Sequence, residues 1–508
     1  MESKNSSPLK ILAYVLLVFA ALGLLIRLVN IRNPLNGLDG MDEMTYVLIA
    51  RRLMLGELPY HGGFDHKPIG LYYVFVLFFQ VFGYTLTTIR LMPIAAIALT
   101  SWLLYAIVKT HLLAQRQGLG LSAVVFMTTC TSFGNGGLVS NTEILQMPVF
   151  AAWWLVALNW TKFRWRRALM LGALTGVAAQ INYLGGSILA LSTAVMLAWP
   201  LLNKISAETV KSFLIDASIS LCTFTLVSLI ALLPLIVADD LSQYFRLQFG
   251  TLAGYQGTLS GEKLLRGLLS IAISASFFLS LLACIIWCEK SLGSYSSPQK
   301  IVMIQLAVAV FLTLAMIGMT KRLYPHYFNL LIIPSTLALL MLLATTGPSA
   351  LRGFTVLTGI LAALLIGRGA WDVYLKDWSG NFRQQHEIAQ LTQEIQKHSK
   401  PGDKVLLLNL NHTLYFLADV VPATRFFFRG QIFLDRFLST LDSSPAREIG
   451  EAVATKPTYV MACFDNSAAG YRSLVDNMLL VNYAAYNLPN YRECLDLKAY
   501  YLPPSSKL

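Results

Sequence analysis

Three polar segments interrupt an otherwise apolar chain, and each carries residue types used in group-transfer chemistry. The first, GLDGMDEMTYVLIARRLMLGELPYHGGFDHKPIGLYY, covers residues 37–73 and holds the acidic pair Asp42 and Glu43, then His61, Asp65, His66 and Lys67. The second, GLVSNTEILQMP (137–148), holds Glu143. The third, TKRLYPHYFNLLIIP (320–334), holds Lys321, Arg322 and His326. A positioned carboxylate can take the proton from an attacking hydroxyl. Cations can oppose the charge that grows on a departing phosphate. Each segment also has a structural explanation. Asp42 could cap a helix, with Glu43 favoured in its first turn by the helix dipole. Glu143 could be a first-turn acid behind Asn141 or Thr142. Lys67, before Pro68, could be an interfacial anchor, and Lys321 with Arg322 a snorkelling pair.

The elements that must position these residues follow from composition. The 508 residues are 56% hydrophobic and only 13% charged, whereas soluble domains carry about 25% charged residues. This is a membrane composition. Runs near 11–29, 91–108, 119–136, 144–160, 168–183, 184–202, 213–238, 264–288, 301–319, 327–346 and 354–371 approach the roughly 20 apolar residues a spanning helix needs, about eleven spans. The first run lacks a small-residue cleavage site and reads as a retained helix. The stretch 69–82 is too short to span and reads as an interfacial or re-entrant helix. An amphipathic stretch, 43–55, precedes it and stops at Gly56.

Treating 69–82 as non-spanning places Lys109 and Arg116, the cluster Lys162 to Arg167, Lys204, Lys211, Lys290, Lys300 and Arg352 on one side with the N-terminus. That is the positive-inside arrangement. It puts the three polar segments on the opposite, non-cytoplasmic side, and it accounts for the net charge of +12 without nucleic acid, since no basic run resembles a nucleic-acid arm. From residue 372 the chain turns polar and mixed. VLLLNL (405–410) and TYVMACF (458–464) read as strands between helical patterns. The expected organisation is a mostly α polytopic module over 1–371 and a small extracytoplasmic α/β domain over 372–508. Cys463 and Cys494 in that tail could pair if it lies in an oxidising compartment. Walker A, HExxH, GxGxxG and CxxC patterns are missing, which disfavours nucleotide-driven pumping and zinc proteolysis of that type.

Carboxylates and cations at one outer membrane face suit sugar transfer from a polyprenyl-phosphate donor, because nucleotide sugars do not normally occur outside the cytoplasm. At this point the motifs themselves resemble a known family. MDEMTYVLIARRLMLGELPYHGGFDHKPIGLYYVFVLFFQVFG resembles the first extracytoplasmic loop of GT-C glycosyltransferases of the glycosyltransferase family 39 type. These include protein mannosyltransferases and lipid A aminoarabinose transferases. NTEILQMP resembles their second-loop acid motif, KRLYPHYFNLLIIP their late "HY…LLPP" element, and the order matches. LYFLADVVPATRF in the tail resembles a further family segment. The resemblance implies inversion at the anomeric carbon, a catalytic carboxylate at Asp42 with Glu43 beside it, and Glu143 near that acid. It places Lys67, Arg322 and His326 at the donor phosphate. His66, Tyr46 and Gln180 are candidate substrate or metal contacts. Gln180 stands where relatives carry a Lys, and Ile69 where they carry a second Pro. Some relatives use a divalent metal and others do not, so no cofactor is assigned. The implied partners are the lipid-linked donor, an envelope glycan, lipid or protein acceptor, and membrane lipid, at the bacterial inner membrane.

Two other readings compete. A transporter or flippase would concentrate substrate groups at mid-membrane, whereas these lie at one face. A non-catalytic binder of lipid-linked glycan would not need the intact acids.

Overall fold

The computed structural model describes residues 7–29, 41–112, 117–130, 139–159, 164–203, 205–255, 297–321, 324–345, 362–367, 381–433, 443–464, 466–488 and 496–502, with a few isolated positions besides. The chain is mostly helical with one small sheet. It divides into two compact units, each discontinuous in sequence: Met1–Asn36, Thr85–Ala231 and Gln256–Tyr374, and Gly37–Tyr84, Leu232–Tyr255 and Leu375–Leu508.

The first unit is a helix bundle. Its elements include α1 (Ser7–Val29), and, after the α2 and α3 helices of the other unit (Met41–Met54 and Ile69–Phe82), α4 (Leu86–Ile107), α5 (Gln117–Cys130), α6 (Thr142–Asn159), α7 (Arg164–Ile181), α8 (Tyr183–Asn203) and α9 (Ala207–Val237) as far as Ala231. Helix α1 packs on α5, α4 on α6, α6 on α7, and α7 on α8. Four described helices are long and apolar enough to cross a membrane: Lys10–Val29, Leu86–Thr110, Tyr183–Leu201 and Ala207–Val237. Shorter apolar helices include Gly118–Cys130, Thr142–Leu158, Ile304–Met319 and His326–Met341. The expected span 264–288 lies almost wholly outside the described residues, and half of 354–371 does too.

Lipid offers no hydrophobic drive between helices, so close packing and polar contacts must join them. Both are present. Trp153 on α6 donates to Thr193 Oγ1 on α8 at 2.9 Å, and Arg27 on α1 donates to the Thr129 carbonyl at 3.2 Å. Gly172 and Gly176, one turn apart on α7, lie against α9. A Cβ at Gly172 would strike the Ser220 backbone and the Thr223 hydroxyl, and one at Gly176 would press on Val227. Gly172→Leu is expected to lower stability by about 1–3 kcal/mol through overpacking, read as a lower thermal midpoint in detergent. Gly118, with nothing within 4 Å of its missing Cβ, is the control: Gly118→Ala should leave the midpoint unchanged or raise it. Equal behaviour of the two variants would discount the contact.

The second unit joins the 37–84 segment, α10 (Leu241–Tyr255) and the C-terminal segment. Helix α2 packs on α3. At 14 residues, α3 is about 21 Å long, short of the roughly 30 Å hydrocarbon core. The sheet contains β1 (Lys404–Leu408), β2 (Val421–Pro422), β3 (Tyr459–Cys463), β4 (Ala484–Asn487) and β5 (Leu497–Tyr501), in the order β2-β1-β3-β5-β4. Strand β1 runs parallel to β2 and β3, while β5 is antiparallel to β3 and β4. Both strand readings made from the sequence therefore hold. Val405 to Leu408 and Tyr459 to Cys463 are all buried, which explains their unbroken apolar runs. Helix Pro445–Ala454 carries the crossover to β3, opened by Ser444 as cap and Pro445 in the first turn. Cys463 and Cys494 are joined in a disulfide.

Candidate active site

In the second unit, α2 presents its acids at one end and Arg51 and Arg52 at the other, the distribution the helix dipole favours. The helix begins at Met41, so Asp42 sits inside the first turn. Asp42 is exposed, whereas Glu43 is 2% exposed and the run Met44 to Ala50 is buried. One carboxylate is thus available to a ligand and its neighbour belongs to the packing. Tyr46, one turn on, is buried with its ring 5.9 Å from Phe75 and 6.5 Å from Tyr72.

The C-terminal segment holds this helix from its far end. Arg52 donates through Nε to Glu57 at 2.7 Å and through Nη1 to the carbonyls of Pro422 and Thr424 at 3.0 and 3.3 Å. Arg51 pairs with Asp419 at 2.7 Å and lies over the Tyr84 ring. Thr45 Oγ1 and His412 Nε2 are 3.1 Å apart. The Phe64 amide donates to the Arg425 carbonyl at 2.8 Å. A Cβ at Gly63 would strike Ile49 and Phe427, so only glycine allows this approach. The turn between α2 and α3 opens with Gly56 at φ +87 and holds Tyr60 at φ 75, a conformation non-glycine residues rarely adopt.

Beyond that turn, Asp65 organises the loop that leads into α3. Its carboxylate accepts from the His66 amide at 2.7 Å and from the Tyr72 hydroxyl at 3.1 Å, and it pairs with His66 Nδ1 at 3.1 Å. Burial alone would raise its pKa. The charge and hydrogen bonds of His66, helped by Lys67, outweigh that and hold the carboxyl below its ordinary value. The Lys67 carbonyl accepts from Tyr60 at 2.8 Å and from Gln248 at 3.4 Å, which sets where its side chain starts.

In the first unit, Asn141 caps α6, its Oδ1 accepting from the Ile144 amide at 2.9 Å. That resolves the choice between Asn141 and Thr142. Glu143 is fully buried. Its Oε1 accepts from Asn182 Nδ2 at 2.7 Å, an amide that also donates to Thr142 at 2.7 Å. Glu143 Oε2 is buried with no hydrogen-bond partner among the described residues. An unsatisfied buried carboxylate oxygen is costly, which a solvated first-turn acid would not incur.

Asn182 is the break between α7 and α8, and its Oδ1 caps the new helix at the Leu184 amide, 3.0 Å away. Gln146 bridges the same break, donating to the Ala178 and Asn182 carbonyls at 2.7 and 2.9 Å. Leu184 in turn packs, as Tyr324 does, against the cluster holding Tyr327 and Phe328. His326 is half-buried, stacked on Tyr324 at 5.4 Å and edge-on to Tyr327 at 4.8 Å. Pro325–Leu331 is a 3-10 helix that packs against α6. Arg322 lies outside the described residues.

Residues 66–233 match the family model described as dolichyl-phosphate-mannose-protein mannosyltransferase. The chain is similar in structure to ArnT of Cupriavidus metallidurans, solved bound to undecaprenyl phosphate, with TM-score 0.56, 13% identity, and coverage of 96% of this chain and 98% of that one. The chain shares the GT-C fold of ArnT. Weaker likenesses are to the oligosaccharyltransferase of Archaeoglobus fulgidus in complex with Zn and sulfate (TM-score 0.48, 14% identity, 93% and 72% covered). The same organism's AglB, with an inhibitory peptide and a dolichol-phosphate, gives TM-score 0.45 at 13% identity over 98% and 75%. No curated protein sequence matches the chain significantly.

On this GT-C fold, each unit brings together part of the residue set singled out in the sequence. Asp42, Glu43, Tyr46, His66 and Lys67 share the second unit, and Glu143, Gln180 and His326 the first. Gln180 is buried with its Oε1 unpartnered among the described residues. Asn182, two positions further on, is the residue that reaches Glu143. Sequence reasoning passed over Asn182 and Gln146, and named Asp65 without giving it a role. The signal for Asn182 was a lone Asn with two glycines behind it inside an apolar run, the composition of a helix break. Among the described residues no group of three His, Cys, Asp or Glu side chains could hold a metal ion. Asp65 and His66 make only a pair, so no step is derived through a metal.

Proposed function

We propose that this protein is an integral membrane glycosyltransferase that moves a sugar from a polyprenyl-phosphate donor to a hydroxyl of an envelope acceptor at the non-cytoplasmic face, inverting the anomeric carbon. The observation that carries the reading is an exposed carboxylate, Asp42, in the first turn of a buried helix on a GT-C fold. ArnT's bound undecaprenyl phosphate supports the donor class. In the proposed step the acceptor oxygen attacks the anomeric carbon. Its proton passes to the Asp42 carboxylate, and the bond from that carbon to the phosphate oxygen breaks, its electron pair leaving with the polyprenyl phosphate. Lys67, Arg322 and His326 contact that phosphate, whose charge grows as the bond lengthens. Glu143, held by Asn182, orients the acceptor. Glu43 positions α2 from within its packing, and His66, Tyr46 and Gln180 shape the substrate surround.

Mass spectrometry of envelope glycans and lipids tests the reading in cells with the wild-type protein, with Asp42→Asn, and with none. One sugar residue should vanish identically in the last two, and it names sugar and acceptor together. If the deletion alters the envelope and Asp42→Asn does not, the chain transports or binds lipid-linked glycan instead.

Lys67→Ala should raise the KM for the lipid-linked donor by about tenfold or more, the scale of losing a hydrogen bond to a charged group, and leave the acceptor KM nearly unchanged. Equal effects on both would remove Lys67 from the phosphate.

The Cys463–Cys494 disulfide supports a C-terminal segment on the oxidising side of the membrane. Alkaline phosphatase fused after Leu508 should therefore be active in cells, and an inactive fusion would reverse the topology.

A further inference from the structure

Three helices of the first unit are joined by a ring of side-chain hydrogen bonds that begins and ends on α6. Gln146 lies one turn beyond Glu143 on that helix, and both are fully buried. The Gln146 amide nitrogen donates to the Ala178 carbonyl at 2.7 Å and to the Asn182 carbonyl at 2.9 Å, so it spans the break between α7 and α8. Asn182 closes the ring. Its Nδ2 donates back to Thr142 and to Glu143 Oε1, both at 2.7 Å, and its Oδ1 accepts from the Leu184 amide at 3.0 Å. Both amide hydrogens of Asn182 are therefore spent on α6.

The helices do not need Gln146 to keep their own bonds. The two carbonyls it contacts already accept from the backbone amides of Asn182 and Gly186, each at 3.0 Å, and Gln146 uses their second lone pairs. Gln146 also carries a cost. Its Oε1 is buried with no hydrogen-bond partner among the described residues. That oxygen is turned toward Gly185, where a Cβ would collide with the Gln146 amide before anything else. Turning the amide over would set an oxygen against two carbonyl oxygens, so the donated pair fixes its orientation. A buried amide oxygen left unpaired costs free energy that an apolar side chain of the same length would not. In return, the amide fixes the place of Asn182, and Asn182 fixes Glu143. With Oε1 held, Glu143 has Oε2 left, a buried acceptor with no hydrogen-bond partner among the described residues.

We propose that Gln146 is a positioning residue for sugar transfer: through Asn182 it holds Glu143 so that Oε2 meets a hydrogen-bond-donating group of the acceptor. The inference rests on the reading that Glu143 orients the acceptor.

Two variants disturb the amide by different routes. Gln146→Met keeps the length of the side chain, removes both donated bonds and orphans no backbone carbonyl. Gly185→Ala leaves Gln146 in the chain and pushes its amide aside. Membranes carrying each full-length variant are supplied with two fractions of cells that lack the protein: the lipid extract, which holds unused donor, and the envelope fraction, which holds unmodified acceptor. Gln146→Met should melt like wild type in detergent. Both variants should need about tenfold more acceptor fraction for half the maximal rate, within the roughly hundredfold that a misplacement of about 1 Å can cost, and no more lipid extract. Gln146→Met combined with Asn182→Ala should be no worse than Asn182→Ala alone, since residues acting in one network are not additive. Wild-type acceptor dependence in Gln146→Met, with Glu143→Gln impaired, overturns the proposal and leaves the role of Glu143 standing. A lower thermal midpoint with donor and acceptor dependence shifted equally overturns it too, and makes Gln146 a packing residue of the break. Full activity in Glu143→Gln refutes the reading of Glu143 itself and the proposal with it.

Discussion

Asp42→Asn is expected to lower the proposed glycosyl transfer by a factor of about 10³, within the range that a positioned general base contributes, and to leave the protein folded in the membrane at wild-type abundance. Both halves of that expectation come from where Asp42 sits. It is an exposed residue in the first turn of α2, so an isosteric amide removes a charge from solvent and not from a packed network. The structural cost is the lost dipole interaction, about 0.3–1 kcal/mol for an exposed site. In the proposed mechanism the chemical cost is the whole proton acceptor, since an amide cannot take the hydroxyl proton. Asp42→Glu keeps the base and displaces it by one methylene, and should retain part of the rate. Glu43→Gln is the contrasting variant. Its side chain is buried, so its effect should fall on thermal stability along with activity. The comparison needs rates measured with the lipid-linked donor at saturating acceptor. A fully active Asp42→Asn enzyme would demote this carboxylate to a dipole partner of α2.

Arg52→Ala is expected to cost about 3 kcal/mol of stability, although Arg52 touches no substrate in the proposed mechanism. Its guanidinium, 9% exposed, donates at once to Glu57 and to the Pro422 and Thr424 carbonyls. Truncation leaves two backbone acceptors and a partly buried carboxylate without donors, and removing one partner of such a set costs far more than the pair's net worth. Arg52→Lys should recover little, because a point charge cannot serve a carboxylate and two carbonyls in a planar fork. The thermal midpoint of the full chain and the rate of proteolysis between α2 and α3 report the loss. A wild-type midpoint in Arg52→Ala would mean that the C-terminal segment does not hold α2. In that segment, LYFLADVVPATRF (414–426) was legible as a family-like stretch with no assigned role. Its carbonyls and Asp419 now account for it as the clamp on α2 within the second unit.

Much of the chain was readable where local chemistry decides. The stretch 43–55 with Gly56 behind it became α2, ending where a left-handed φ requires glycine. VLLLNL and TYVMACF became β1 and β3 because strands buried on both faces show unbroken apolar runs. Asn141 capping α6 and the short α3 follow the same logic. Asp42 and Glu143 stood out because carboxylates beside apolar spans are costly unless they are used.

Tertiary structure decided everything that depends on partners far away in sequence. Glu143 and Asn182 are 39 positions apart, and no periodicity could show that Asn182 would reach the acid. Arg52 and its carbonyl acceptors are separated by 370 and 372 positions, and a carbonyl acceptor leaves no mark on side-chain pattern. The difference between Asp42 and Glu43 is of the same kind. As adjacent acids in one helical turn they are equivalent in sequence, and only the packing of α2 buries one and leaves the other exposed. The sequence by itself determined which residues could do chemistry and which segments are apolar enough for a membrane, because both depend on residue type and local spacing. Which acid is presented, and what holds it still, was decided by long-range hydrogen bonds and burial, which exist only once the chain has folded.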